Sequence, residues 1–293
     1  MDICSDEIKK QEIIDRFNSR PKVQTYIINL NVGKSINLDG EWLNDIEGVG
    51  EEVKEDLNDL FELYGLKANY VYEDKQITHG SWWYDMTPLQ GMDIDRYLPI
   101  FFIEFSLYPV SYLRKSTLNN IYFCNSLTFS TESYSQYRAS VPDYCYNMKA
   151  MIYCCKETSS SYVRNVIHHE FFHYVDYIED GKIYGSEPKW EACNKPGFQY
   201  GTGGANNRVW KPLDEKDTGF LNYYSTTGIE EDKAEIFAYM MTDPEYVINP
   251  ANEYLNAKFN YMREMMFSFD SEGLGKQEFW DFILQFRNNT FNC

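Results

Sequence analysis

Positive charge is scarce in this chain: 27 Lys and Arg stand against 45 Asp and Glu, a net charge of −18 over 293 residues. The basic residues are scattered and form no stripe that would neutralise a phosphate backbone, which excludes nucleic acid as a partner. Long hydrophobic runs are missing as well. The most apolar stretch, 97–113, is interrupted by Pro99, Glu104 and Pro109, whereas a bilayer span needs roughly 18 predominantly apolar residues, so no transmembrane segment is expected. None of the seven cysteines shows the Cys-x-x-Cys spacing of thiolate zinc sites or redox motifs. Cys154 and Cys155 are neighbours in a strand-like run, point to opposite faces and read as packed thiols. No repeat period or low-complexity tract breaks the chain. An apolar leader is also lacking. Cys4-Ser5-Asp6-Glu7 looks like the start of an acidic lipoprotein, so the expected location is outside or on the cell surface if a signal was trimmed, and the cytoplasm otherwise.

What is present is apolar and aromatic residue in quantity, 43% hydrophobic and 17% aromatic, enough for a substantial core. Residues 1–20 read as a polar tail or short helix. The segment 25–30, Thr-Tyr-Ile-Ile-Asn-Leu, has strand character and is closed by Gly33. Val53, Leu57, Leu60, Phe61 and Tyr64 share one face of a predicted helix over 52–64. Strands are predicted at 120–124 and 150–154. A helix then runs from the caps Ser159–Ser161 to Gly181, whose freedom to take positive φ ends it. An irregular stretch, 184–221, precedes three predicted helices at 230–241, 252–267 and 276–287. The expected organisation is an N-terminal tail (1–20), a sheet-bearing subdomain with a long helix (21–181) and a helical subdomain (182–293), in the α+β class.

That long helix carries His169-Glu170-Phe171-Phe172-His173, and three of the four histidines of the chain fall within its residues 168–173. Two imidazoles four residues apart project from the same side of a helix, which makes them paired ligands for zinc. With His169 at zero, His173 lies at about 40°, Asp176 at about −20°, Glu170 at about 100° and His168 at about −100°. Glu170 thus flanks a metal without sitting on it, as a general base must. His168 falls on the packed side. Asp176 shares the metal stripe and could orient an imidazole or serve as a ligand itself. A catalytic zinc needs a third protein ligand, and no further His follows His173 at metzincin spacing. The segment 230–239 is the best source: with Glu235 at zero, Glu231 lies at about −40°, Tyr239 at about 40° and Asp232 at about 60°. Asp232 could buttress a histidine or face solvent.

The chain resembles the zinc-binding metallopeptidases of the gluzincin group, and more distantly the lethal-factor-type proteases. The resemblance is carried by Ile167–His173 with Asp176, by Trp190-Glu191-Ala192 with Asn194, Pro196-Gly197-Phe198 and Tyr200, and by Gly219-Phe220, Tyr224, Glu231-Asp232, Ala234-Glu235 and Phe237-Ala238. Cys193 stands where an aliphatic residue is expected. The resemblance implies an α+β zincin-like fold: a small mixed sheet with the active helix, and a mostly helical C-terminal subdomain that supplies Glu235 as third ligand to one catalytic Zn2+. It also implies an upstream tyrosine that stabilises the oxyanion, Tyr224 or its neighbour Tyr223. Peptide or protein would then be the substrate, with residues 150–154 as the edge strand that pairs with it. The rival reading is a non-catalytic zincin scaffold that binds peptide or carbohydrate; an intact Glu170 speaks for the enzyme. His79 reads as structural, and Trp82-Trp83-Tyr84 as core instead of a stacking platform for sugars.

Overall fold

The structure, a computed structural model, describes residues 3–31, 46–143, 149–156, 159–182, 185–201, 213, 218–247 and 252–291. The first helices are α1 (Ile3–Ser19), α2 (Pro21–Asn31) and α3 (Val49–Tyr64), followed by β1 (Lys67–Tyr70), β2 (Lys75–His79) and β3 (Trp82–Met86). Two helices, α4 (Gly91–Phe105) and α5 (Val110–Ser116), lead to β4 (Asn120–Cys124), β5 (Leu127–Thr131), β6 (Ser135–Arg138), β7 (Ser140–Asp143) and β8 (Ala150–Cys154). Among the described residues that follow, the elements are helices: α6 (Ser160–Asp180), α7 (Pro188–Glu191), α8 (Ile229–Thr242), α9 (Pro244–Val247), α10 (Glu253–Phe269) and α11 (Gln277–Phe291). The fold is α+β, with a helical C-terminal region as expected. Among the described residues no helix is long and apolar enough to cross a membrane.

By its contacts the chain forms two compact units, residues 1–167 with 289–293, and residues 168–288. They part inside α6, between Ile167 and His168, whereas the sequence pattern placed the whole helix in the sheet-bearing part. In the first unit, one sheet has the order β1-β4-β8-β7 and a second the order β2-β3-β5-β6. The first is mixed, with β1, β4 and β8 parallel and β7 antiparallel to β8; the second is wholly antiparallel. The alternation of strand side chains divides the core. Phe123 and Tyr153 pack with Phe61 and Phe101 of the helices, Phe101 lying 4.9 Å from Phe123 and 5.0 Å from Tyr153. On the opposite face Tyr122, Cys124, Ile152 and Cys154 join Ile77, Tyr84, Met86 and Leu127 in one buried cluster. Cys124, Cys154 and Cys155 are buried thiols.

Covering a sheet on both faces buries its central strand completely, and all five residues of β8 are buried. This corrects the edge-strand role expected for 150–154: β8 is flanked by β4 and β7, and the outer strands are β1 and β7. The strand expected at 25–30 is likewise part of a helix, α2. Pro21 supplies a pre-formed first helical residue, and Val23, Tyr26 and Asn29 are buried at three-residue spacing. The β-branched content of the segment hid that period, because Thr25 and Asn29 satisfy their polar groups within the helix, bonding to Pro21 O and Thr25 O. Gly33 lies outside the described residues, as does most of the irregular stretch between 202 and 217. Of the two readings given for residues 1–20, the described ones take the helical one: Ile3–Ser19 form α1, and Arg16 and Arg20 tie the segment to α3 on the buried carboxylate of Asp56.

Candidate metal centre

The helix α6 begins and ends where its caps allow. Val163 N donates to Ser159 O at 2.9 Å, and Gly181, at φ 72°, closes the last turn onto Tyr177 O at 2.8 Å. His169 and His173, one turn apart, set their rings 4.7 Å apart and nearly perpendicular, with Nε2 facing Nε2 at 3.1 Å. The first turn of α8 brings in Glu231, whose Oε2 lies 3.1 Å from His169 Nε2 and 3.3 Å from His173 Nε2. His169, His173 and Glu231 thus form a group that could hold a metal ion. The donor set suits zinc, and so does its size: four-coordinate zinc at about 2.0–2.1 Å from each ligand separates neighbouring donors by about 3.3–3.4 Å. Three lone-pair atoms meeting in one triangle are poorly served by hydrogen bonds alone, since an imidazole carries at most one proton on Nε2.

Electrostatics follow the same contacts. Burial opposes the charge on Glu231, but hydrogen bonds from both imidazoles outweigh it and hold the carboxyl well below the usual range. Burial likewise opposes a charged His169, yet Glu231 and Glu235 together raise its pKa well above the ordinary value. The two carboxylates bracket the ring. Glu235 Oε1 lies 3.0 Å from Nδ1, close enough for an ion pair but off the line of an N–H bond, while Glu231 meets the opposite nitrogen. Each carboxylate is anchored by its other oxygen: Tyr224 OH donates to Glu231 Oε1 at 2.8 Å, and Asn222 Nδ2 donates to Glu235 Oε2 at 2.6 Å. Asn222 also accepts from Ser225 N, holding the 3₁₀ turn Tyr224–Thr226 against the start of α8.

The expected residues sort out as follows. His169 and His173 come together, and the carboxylate beside both Nε2 atoms is Glu231, with Glu235 on the far nitrogen of His169. Glu231 and Glu235 share one face of α8, one turn apart, so helical spacing could not choose between them. The available signal was that one imidazole has two nitrogens and takes two carboxylates. Glu170 is half-buried on α6 and its charge acts on Tyr224. Burial, then Glu231, raises the Tyr224 phenol far above its ordinary value. Asp176 and Asp232 do not meet an imidazole by hydrogen bond. Asp176 pairs with Lys233 Nζ at 2.7 Å, and Asp232 with Lys258 Nζ at 2.8 Å. His168 is fully buried. His79 ends β2, meets Asp143 at 2.8 Å and packs on Trp82. Asn222 went unnoticed in the sequence, since a turn asparagine carries no spacing signal.

No protein-family model matches the chain, and neither does any curated protein. Among solved structures, the chain is similar to one from Bacteroides caccae described as a "putative zinc-binding metallo-peptidase". The identity is 15%, the TM-score 0.50, and the match covers 84% of this chain and 95% of the other. At that identity the likeness is one of fold, and it accords with the α+β architecture above.

Proposed function

We propose that this protein is a zinc-dependent metallopeptidase of gluzincin type, with one zinc ion held by His169, His173 and Glu231. The observation that carries the reading is the triangle of Nε2, Nε2 and Oε2 with sides of 3.1, 3.1 and 3.3 Å. The fold likeness to a protein described as zinc-binding supports it. Zinc held there would supply Lewis acidity towards water and a substrate carbonyl.

The remaining chemistry belongs to side chains. Glu170, set about 100° round α6 from His169, takes the proton of the attacking water and returns it to the leaving amine. Tyr224 keeps its proton at neutral pH because burial and the Glu231 charge both oppose the phenolate. It is therefore a donor throughout, suited to the oxyanion that develops as the carbonyl is attacked. Glu235 holds His169 from the Nδ1 side and is itself fixed by Asn222, which gives the imidazole a defined orientation. A peptide mixture incubated with the zinc-loaded protein should be cleaved, and cleavage should stop with chelator and with Glu170→Gln. Persistence of cleavage in Glu170→Gln would remove the base from the mechanism; no cleavage of any peptide by a zinc-loaded wild type would favour a scaffold that only binds.

A further inference from the structure

The residues that follow the carboxylate of Glu231 in sequence are both charged and both buried. Asp232 is 0% and Lys233 1% exposed. Successive residues of a helix point about 100° apart, so the turn 231–233 reaches in three directions. Glu231 faces the imidazole pair. Asp232 faces α10, where Lys258, itself 0% exposed, meets Oδ2 at 2.8 Å. The same Oδ2 accepts from Trp190 Nε1 at 2.9 Å and from Tyr200 OH at 2.5 Å, while Lys258 also donates to Gly219 O at 2.7 Å. Lys233 faces α6, where it meets both oxygens of Asp176 at 2.7 Å and, beyond the helix, Glu187 at 2.5 Å. Asp176 lies on α6 just past His173.

Buried ion pairs are an expensive way to hold helices together, because removing both charges from water offsets much of their attraction, and apolar contacts of the same volume serve cohesion as well. What charge pairs add is a fixed location for each head group. Here the locations bear on the two helices that carry the imidazoles and the carboxylate of Glu231. We propose that the pairs Asp232–Lys258 and Lys233–Asp176 are positioning devices for Glu231, setting the rotation and depth of the first turn of α8 so that one carboxylate oxygen meets both Nε2 atoms. The inference rests on His169, His173 and Glu231 being a zinc site. None of the four residues touches the reacting atoms; they act through Glu231.

The test compares Asp176→Asn and Asp232→Asn with a control, Asp56→Asn, which neutralises a buried carboxylate that pairs with Arg16 and Arg20 in the other compact unit. Zinc affinity is measured by competition with a chelating dye, the visible spectrum is recorded with Co2+ in place of zinc, and thermal unfolding is followed without metal. Asp176→Asn and Asp232→Asn should each weaken zinc binding about 10–100-fold, the range for partners that orient ligands, and should change the position or intensity of the cobalt bands at saturation. Asp56→Asn should lower the unfolding midpoint and leave affinity and bands unchanged. Wild-type affinity and bands in both variants, with only the midpoint lowered, would overturn the proposal and leave the pairs as simple cohesion. If a single variant does not fold, the apolar double variant Asp176→Leu with Lys233→Met removes both charges and carries the same test: weakened zinc supports positioning, wild-type affinity overturns it. Failure of the underlying site looks different, since wild type would then bind no zinc or His169→Ala would keep it.

Discussion

A single imidazole held between two carboxylates organises this site, and the roles of the two can be separated by substitution. His169→Ala and His173→Ala should each abolish stoichiometric zinc, read by elemental analysis of the purified protein; full metal in either would refute the site. Glu231→Ala should weaken zinc by more than roughly 100-fold, and Glu235→Ala by about 10–100-fold, because Glu235 acts on Nδ1 and not on the converging nitrogens. The reverse ranking of dissociation constants would return the third-ligand role to Glu235. Proton competition gives a further expectation. The raised pKa of His169 means that its proton stabilises the metal-free fold fully below the ordinary histidine value, and that this contribution fades as pH rises through the raised value. Zinc needs the nitrogen free of its proton. The zinc-induced gain in unfolding temperature should therefore be larger at about pH 8 than at about pH 6; the opposite order would mean that the histidines are not the ligands. The meeting of His169 and His173 was legible because i, i+4 geometry is local. That Glu231, and not Glu235, lies beside both Nε2 atoms was not, because it depends on which turn of α8 meets α6. Nor were the partners of Asp176 and Asp232, since both lie on other elements.

Among the elements, legibility followed the clarity of the period. The strands at 120–124 and 150–154 occur as expected, and α6 stops at the glycine marked for it. The helix expected at 52–64 starts earlier, at Val49, for a reason absent from its own sequence: Asp95 of α4 accepts from Gly48 N at 2.9 Å and Gly50 N at 2.7 Å, capping α3 from outside. Asp95→Ala should cost about 0.5–2 kcal/mol, as for other caps, seen in chemical denaturation. The same junction explains Gly50. A β-carbon there would meet the backbone carbonyl carbon of Ile94 at 2.6 Å, and since backbone cannot yield as a flexible side chain does, Gly50→Ala should cost about 1–3 kcal/mol. A neutral outcome would show that α3 and α4 can part without loss. The second sheet was invisible to periodicity, because β2, β5 and β6 are polar and partly exposed where β4 and β8 are continuous apolar runs, and its aromatic run, Trp82-Trp83-Tyr84, reads as generic core.

For the whole molecule, zinc and fold stability should be coupled. Free zinc at about 100 times its dissociation constant should add about 2.7 kcal/mol to unfolding, and chelator should remove it; a melting curve insensitive to both would separate metal from fold. The class of fold was readable from strands followed by helices, whereas the parting of the units inside α6 was not, since a continuous helical pattern carries no mark of such a boundary. The order of strands has one more consequence, for behaviour in concentrated solution. Every strand at the border of a sheet presents unpaired amide and carbonyl groups to any other chain that drifts against it. In both sheets those border strands, β1, β2, β6 and β7, are four or five residues long. The first three contain Lys67, Lys75 and Arg138, and β7 contains Pro142, which has no amide proton to offer. With a net charge of −18 added to that, refolding at high protein concentration meets two separate barriers to fibril formation, one electrostatic and one built into the geometry of the sheet borders.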